Sequence, residues 1–206
     1  MPRENATSRS DPPEGFVLAG GRSRRMGRDK ALLPFGGRNF LENASGILMP
    51  FCPKVSAVFN RDQRDLAEKL PPGVASVFDQ LEDRGPLGGI HAALQNCVSK
   101  RAFVLACDLP FITKDVIEKL ISCDENLSAA VVPVQPDGRF QPLCAIYRKD
   151  ECLPHLEEIL SKKEDASVRD FLKMLKIKTV RTEDLGATAD LFANINSPAD
   201  LKDLRP

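Results

Sequence analysis

The residue types best suited to chemistry lie in one stretch, Leu18-Ala19-Gly20-Gly21-Arg22-Ser23-Arg24-Arg25-Met26-Gly27-Arg28-Asp29-Lys30. From Arg22 to Lys30 it carries five cationic side chains against one aspartate, a net charge of +4 in a protein whose formal net charge is zero. Its three glycines let the backbone approach a ligand closely and turn N–H groups toward it. Clustered Arg and Lys neutralise a polyanion, and a nucleoside triphosphate carries about four negative charges, two of which a divalent cation offsets. Two familiar phosphate loops do not fit. Neither Gly-x-x-x-x-Gly-Lys-Ser/Thr nor Gly-x-Gly-x-x-Gly occurs here. A basic run alone is often only a solvated surface. A nucleic-acid patch would interleave aromatic residues with the arginines, and none does so.

Such a loop needs a scaffold. Short β-type runs recur at Gly15–Ala19, Lys54–Phe59, Val74–Phe78, Ala102–Cys107, Ser128–Val134 and Pro142–Tyr147. Several are continuously apolar, as strands covered on both faces are. Between them, Val116, Ile117, Leu120 and Ile121 form one helical stripe, and Leu153, Leu156, Ile159 and Leu160 another. Val168, Phe171, Leu172 and Leu175 recur at i, i+3, i+4 and i+7. Gly85-Pro86-Leu87-Gly88-Gly89 opens a helix carrying Ile90, Leu94 and Cys97. Ser197-Pro198-Ala199-Asp200 has capping-box spacing with proline at N1, so a last helix is expected there. Strands alternating with helices predict an α/β fold with a mostly parallel central sheet flanked by helices. The polar stretch Met1–Glu14 reads as a flexible extension, and residues 15–206 as a single domain.

In a parallel sheet, ligands bind outside the carboxyl ends of the strands, near the switch point. The strand ending at Ala19 delivers Gly20-Gly21, and the one ending at Phe59 delivers Asn60. Val77-Phe78 leads to Asp79, and the apolar run closing at Cys107 ends in Asp108. Any one of these is a common turn or cap residue. Asp108 is a poor cap, because Leu109-Pro110 follows and Thr113 is better placed to start the next helix. Four such ends on one edge, one of them bearing the basic loop, converge on a shared anion site. The helix after the second glycine turn can direct its N-terminus into the same cleft.

Composition narrows the alternatives. The 206 residues include 29 Lys and Arg against 29 Asp and Glu, which argues against a whole-molecule nucleic-acid binder. The longest apolar run, Ala102 to Cys107, is far short of the ~20 residues of a membrane span. The first thirteen residues lack an apolar signal core, so a cytoplasmic protein is expected. Cys52, Cys97, Cys107, Cys123, Cys144 and Cys152 form no Cys-x-x-Cys pair and read as reduced and structural. His91 and His155 have no catalytic partner nearby in the sequence and read as structural or exposed.

Taken in order, the motifs resemble those of the molybdenum cofactor guanylyltransferases, within the nucleotidyltransferases of the sugar-nucleotide pyrophosphorylase type. They are Leu18-Ala19-Gly20-Gly21 with Arg25-Met26-Gly27 and Asp29-Lys30, then Gly85-Pro86-Leu87-Gly88-Gly89 and Cys107-Asp108-Leu109-Pro110-Phe111. Gln141-Pro142-Leu143 and Asn194-Ile195-Asn196-Ser197-Pro198 complete the set, which spans almost the whole chain. The resemblance implies a Rossmann-like three-layer fold of the nucleotide-diphospho-sugar transferase type. It also implies a reaction, in which GTP and the molybdenum-bound pterin phosphate give a guanine dinucleotide cofactor and pyrophosphate. By the same resemblance, Leu18, Ala19, Gly20 and Gly21 hold the nucleotide, with Asn60 and Asp79 reaching base or ribose. Lys30 contacts the phosphates, and Asp108 binds both the nucleotide and Mg²⁺, for which Mn²⁺ can substitute; from its charge in the basic loop, Arg25 is expected to screen the triphosphate with Lys30. Gln141, Asn194 and Asn196 lie toward the pterin. A molybdoenzyme or cofactor-insertion protein is the implied partner, with no role for nucleic acid or membrane. Relatives that use CTP carry an alanine before a single glycine in the first motif and aspartates where Asn194 and Asn196 stand, so the resemblance favours GTP. Ser197 in place of the usual Thr, Ala199 in place of a common Glu, and the N-terminal extension depart from the family pattern.

The implied chemistry suits the residues. A phosphate monoester is nucleophilic at neutral pH, so positioning and charge neutralisation suffice and no Ser/His/Asp set is required. Beside a structural or nucleic-acid-binding protein that uses the basic loop, two alternatives stay open on the sequence. One is a related nucleotidyltransferase using CTP or another nucleotide on a different cofactor or sugar phosphate. The other is a GTP-binding regulatory protein without turnover.

Overall fold

The computed structural model describes residues 11–20, 29–81, 83–125, 127–186 and 191–193. In chain order the strands are β1 (Glu14–Leu18), β2 (Pro34–Phe35), β3 (Arg38–Asn39), β4 (Val55–Asn60), β5 (Val74–Asp79), β6 (Arg101–Ala106), β7 (Ala130–Val134), β8 (Cys144–Arg148) and β9 (Ile177–Arg181). The helices are α1 (Phe40–Leu48), α2 (Gly85–Asn96), α3 (Lys114–Ser122), α4 (Lys149–Lys162) and α5 (Val168–Lys173), with 3₁₀ turns at Lys30–Leu32 and Arg64–Lys69.

Seven strands form one sheet in the order β5-β4-β1-β6-β8-β7-β9. β1, β4, β5 and β6 run parallel, while β8 is antiparallel to both β6 and β7. The expected mostly parallel α/β sheet is therefore present, with one reversed strand. Strand alternation splits the core in two. Val17, Ala57, Phe59, Phe103 and Leu105 face the side covered by α1 and α3, and Phe16, Leu18, Val58 and Val104 face the side covered by α2, α4 and α5. Both faces are thus dry, which explains the continuously apolar strands.

The chain runs outward from β1 to β4 and β5, then returns to lay β6 on the other side of β1. That reversal puts a topological switch point at the carboxyl ends of β1 and β6. The ends are locked together: the register pairs Leu18 with Ala106, and the Cys107 N–H donates to the Leu18 carbonyl at 3.1 Å. Thr113 caps α3 by accepting from the Val116 N–H, which leaves Asp108 outside any helix start.

Several expectations need correction. The extension assigned to Met1–Glu14 ends too late, because Glu14 is buried in β1 and accepts from the Val98 and Ser99 N–H groups at 2.9 and 2.8 Å. Glu14 is polar and continues the polar N-terminal stretch in sequence, while its partners lie some 84 residues away. Apolar runs alone mark neither α1 nor the β2–β3 hairpin nor β9, and β7 and β8 start at Ala130 and Cys144, two residues after the expected Ser128 and Pro142. The helix expected from Ser197 lies outside the described residues. No described helix is long and apolar enough to cross a membrane.

Candidate active site

Four of the strand ends meet at the carboxyl edge. Ala19 and Gly20 follow β1, and both of their N–H groups donate to the Val58 carbonyl of β4, at 2.9 and 3.0 Å. Their N–H groups are thus committed to the sheet, leaving the main-chain carbonyls as the polar atoms offered to a ligand. Gly20 lies against Asn60, the last residue of β4. A Cβ at position 20 would sit 2.5 Å from Asn60 Oδ1 and 3.0 Å from its main-chain nitrogen, so only glycine fits without displacing that side chain.

Asn60 pairs in register with Asp79, the last residue of β5. Asp79 is 7% exposed, and its Oδ1 accepts from the Leu81 N–H at 2.8 Å. Its other oxygen lies over the first turn of α2, where a Cβ on Gly88 would come within 2.2 Å. Gly89 in turn lets α2 pack against Leu18 of β1. The second glycine motif therefore brings a helix N-terminus against the end of the sheet, with a carboxylate held between them. Burial raises the Asp79 pKa above the ordinary carboxylate value, partly offset by the Leu81 N–H and by the nearby His91. Burial likewise lowers His91, with Glu157 and Asp79 opposing.

The sign of this shift has a consequence for stability. A carboxyl group whose folded pKa is raised contributes most below its unfolded value and loses that contribution as pH rises through the folded one. At neutral pH the buried carboxylate is a cost. Asp79→Asn, which can keep the Leu81 contact, is expected to melt at or above the wild-type temperature at about pH 7, with the gap closing toward about pH 4. Thermal melts across that range check this, and a variant that melts lower at neutral pH contradicts the burial argument. A site that retains such a cost has a use for the charge.

On the other side of the switch point, Lys30 Nζ donates to Asp108 Oδ2 at 2.7 Å, with side chains 16% and 26% exposed. Lys30 opens a single 3₁₀ turn pinned by the fully buried Ala31, so its ammonium is aimed across the mouth of β6. Cys107, beside Asp108, turns into the core, and burial pushes its thiol up to about 12, which removes it as a nucleophile.

Gln141 lies at the same edge because β8 runs antiparallel to β6, and its N–H donates to the Pro133 carbonyl at 2.8 Å. The segment from Pro133 to Gln141 is a turn with Gly138 at φ 81° and a bridge between Val134 and Phe140. Gly21, Arg25, Asn194 and Asn196 lie outside the described residues, as do Arg22, Arg24 and Arg28. His91 is buried 3.9 Å from Glu157, and His155 is exposed on α4. All six cysteines are free.

Sequence reasoning passed over Gln63, which lies in a polar turn without a motif. Its side chain accepts from the Asn60 N–H at 3.1 Å and donates to Asp29 Oδ1 at 2.8 Å.

Asp108 is the residue in this edge suited to a divalent cation. Among the described residues no group of three or more His, Cys, Asp or Glu gathers to hold a metal. One hard carboxylate beside a lysine suits a Mg²⁺ ion carried largely by substrate oxygens and water.

The geometry has known counterparts. Residues 15–181 match the model of the MobA-like NTP transferase domain. A probable molybdenum cofactor guanylyltransferase of Pelotomaculum thermopropionicum is 36% identical over 190 residues, covering 91% of this chain and 89% of that protein. A molybdenum cofactor guanylyltransferase of Desulfosudis oleivorans is 32% identical over 196 residues, covering 93% and 94%. Among solved structures, molybdopterin-guanine dinucleotide biosynthesis protein A of Archaeoglobus fulgidus superposes with a TM-score of 0.74 at 27% identity, covering 92% of this chain and 95% of that one. The 2-C-methyl-D-erythritol 4-phosphate cytidylyltransferase of Thermus thermophilus shares the fold, with a TM-score of 0.66 at 17% identity and coverage of 93% and 96%. With its sheet edge, its glycine turns and these relatives agreeing, the chain belongs to the MobA-like nucleotidyltransferases, the family of the molybdenum cofactor guanylyltransferases.

Proposed function

We propose that this enzyme transfers GMP from GTP to the phosphate of molybdenum-bound molybdopterin, giving the guanine dinucleotide cofactor and pyrophosphate. The observation that carries the reading is the juxtaposition, at one switch point, of a lysine–aspartate pair with a strand-end edge built from Gly20, Asn60 and Asp79. In this reading an oxygen of the acceptor phosphate attacks the α-phosphorus of GTP. The bond from that phosphorus to the bridging oxygen of the β-phosphate breaks, and pyrophosphate leaves with the electron pair.

Lys30 neutralises the triphosphate and the charge gathering on the leaving group. Asp108 holds Lys30 in place before substrate arrives and offers its carboxylate to the metal afterwards. Mg²⁺, or Mn²⁺ in its stead, supplies charge neutralisation on the phosphate oxygens when bound. The carbonyls of Ala19 and Gly20 accept from the amino and ring N–H groups of guanine, while Asn60 and Asp79 meet base or ribose. Arg25, and Gln141, Asn194 and Asn196 toward the pterin, complete the assignment by family resemblance.

Gly20 gives this reading a selectivity test. An alanine there displaces Asn60, so Gly20→Ala is expected to cut the preference for GTP over CTP by about tenfold, a difference of about 1.4 kcal/mol. Competition kinetics with both nucleotides measure it, and an unchanged ratio removes Asn60 from base selection.

A thermal-shift titration with GTP, CTP, ATP and UTP, each with Mg²⁺, tests the reading as a whole. A ligand at a hundred times its dissociation constant adds ~2.7 kcal/mol, roughly 5–10 °C for a chain of this size. Selective stabilisation by GTP is the expected result. A preference for CTP would move the chain to the cytidylyl branch.

A further inference from the structure

We infer that Gln63 is a positioning residue, which fixes the spacing between the nucleoside end and the phosphate end of the site. The inference rests on the nucleotide-transfer reading above. Its two amide atoms are used in opposite directions. The Oε1 accepts from the Asn60 main-chain N–H at 3.1 Å, and the Nε2 donates to Asp29 Oδ1 at 2.8 Å. Asn60 closes β4 at the base side, and Asp29 immediately precedes Lys30, whose ammonium lies 2.7 Å from Asp108. Gln63 is thus a strut of one side-chain length between two strand-end assemblies that approach the ligand from different elements.

The local conformations show that the strut is not incidental. Gln63 and Asp29 both occupy N-cap positions of 3₁₀ turns, at Arg64–Lys69 and Lys30–Leu32, and neither side chain caps its own turn. An aspartate at an N-cap ordinarily accepts from the N–H groups of the first turn. Here Asp29 accepts across 34 residues instead, from a partially buried glutamine. The Asn60–Gln63 turn that presents the amide is itself closed, with the Gln63 N–H donating to the Asn60 carbonyl at 3.0 Å. The strut is therefore braced at both ends.

A fixed spacing matters only to a ligand that spans both ends. Such a ligand gains from the second contact in proportion to how well the two subsites are held at the matching distance. A ligand that fills only one end gains nothing from the strut. This separates a positioning role from a merely structural one.

The experiment is calorimetric binding of guanosine and of GTP with Mg²⁺ to the full chain and three variants. Gln63→Met removes both hydrogen bonds without changing charge. Gln63→Glu sets two carboxylates against each other, and the pair Gln63→Glu with Asp29→Asn restores the bond with donor and acceptor exchanged and the wild-type charge. Gln63→Met and Gln63→Glu are expected to weaken GTP by roughly tenfold or more, the worth of a hydrogen bond to a charged group, with guanosine affinity unchanged. The double variant is expected to recover GTP affinity to within about threefold of wild type. GTP affinity unmoved in Gln63→Met, or guanosine and GTP falling alike, or no recovery in the double variant, would overturn the assignment. Absence of GTP binding by the unaltered protein would instead refute the functional reading, and this inference with it.

Discussion

Replacing Asp108 with asparagine is expected to lower turnover by roughly 100- to 1000-fold with little effect on the fold. The substitution is nearly isosteric, and an amide oxygen can still accept from Lys30, so the arrangement at the end of β6 is kept while the charge is lost. The Cys107 N–H bond to the Leu18 carbonyl and the start of α3 at Thr113 do not involve the Asp108 side chain. In the proposed reading, what disappears is the anionic carboxylate offered to a divalent cation at the phosphate end of the site. Turnover measured over a Mg²⁺ titration separates this from unfolding, which thermal melts monitor. Near-normal, Mg²⁺-dependent turnover in Asp108→Asn would show that the metal is held elsewhere.

Lys30→Ala is expected to cost somewhat less, about 100-fold in kcat/KM, because electrostatic stabilisation of this kind commonly contributes ~3 kcal/mol. The Lys30 side chain is 16% exposed and its ammonium is pinned 2.7 Å from Asp108, so the charge is aimed before substrate arrives. Such preorganisation makes its charge worth more than that of a surface lysine. The same substitution leaves Asp108 without this cation beside it. Lys30→Arg keeps the charge but not the compact point donor, and is expected to recover only part of the loss. A rate unchanged in Lys30→Ala would remove this residue from the site, along with the reading of the Lys30–Asp108 pair as its phosphate end.

Much of this edge could be read from the chain. Apolar strands ending in Gly20, Asn60, Asp79 and Asp108 follow from the rule that both faces of a parallel sheet are dry while its carboxyl ends meet solvent. The contacts between those ends could not, since Lys30 and Asp108 are 78 residues apart and no local pattern encodes their approach. Gly88 illustrates the same limit. Its place in a glycine-rich turn is visible in the sequence, but the Asp79 carboxylate that forbids a Cβ there is not. The α1 start carries a local signal that composition misses, since Asn39 and Glu42 form a reciprocal capping box. β9 was harder, because Ile177–Arg181 is a short edge strand of mixed polarity whose partner, β7, lies far back in the chain. Glu14 and Gln63 share one limit: each is polar in sequence and finds a decisive hydrogen-bond partner far away in the chain, Val98 and Ser99 for Glu14 and Asp29 for Gln63.

The most direct test of the central claim is product formation. The purified protein is incubated with molybdenum-bound molybdopterin and equimolar GTP and CTP with Mg²⁺, and the dinucleotides and pyrophosphate are quantified. The account predicts guanine dinucleotide as the dominant product, with one pyrophosphate released per dinucleotide formed. Cytosine dinucleotide as the main product, or GTP bound with no pyrophosphate released, would contradict it.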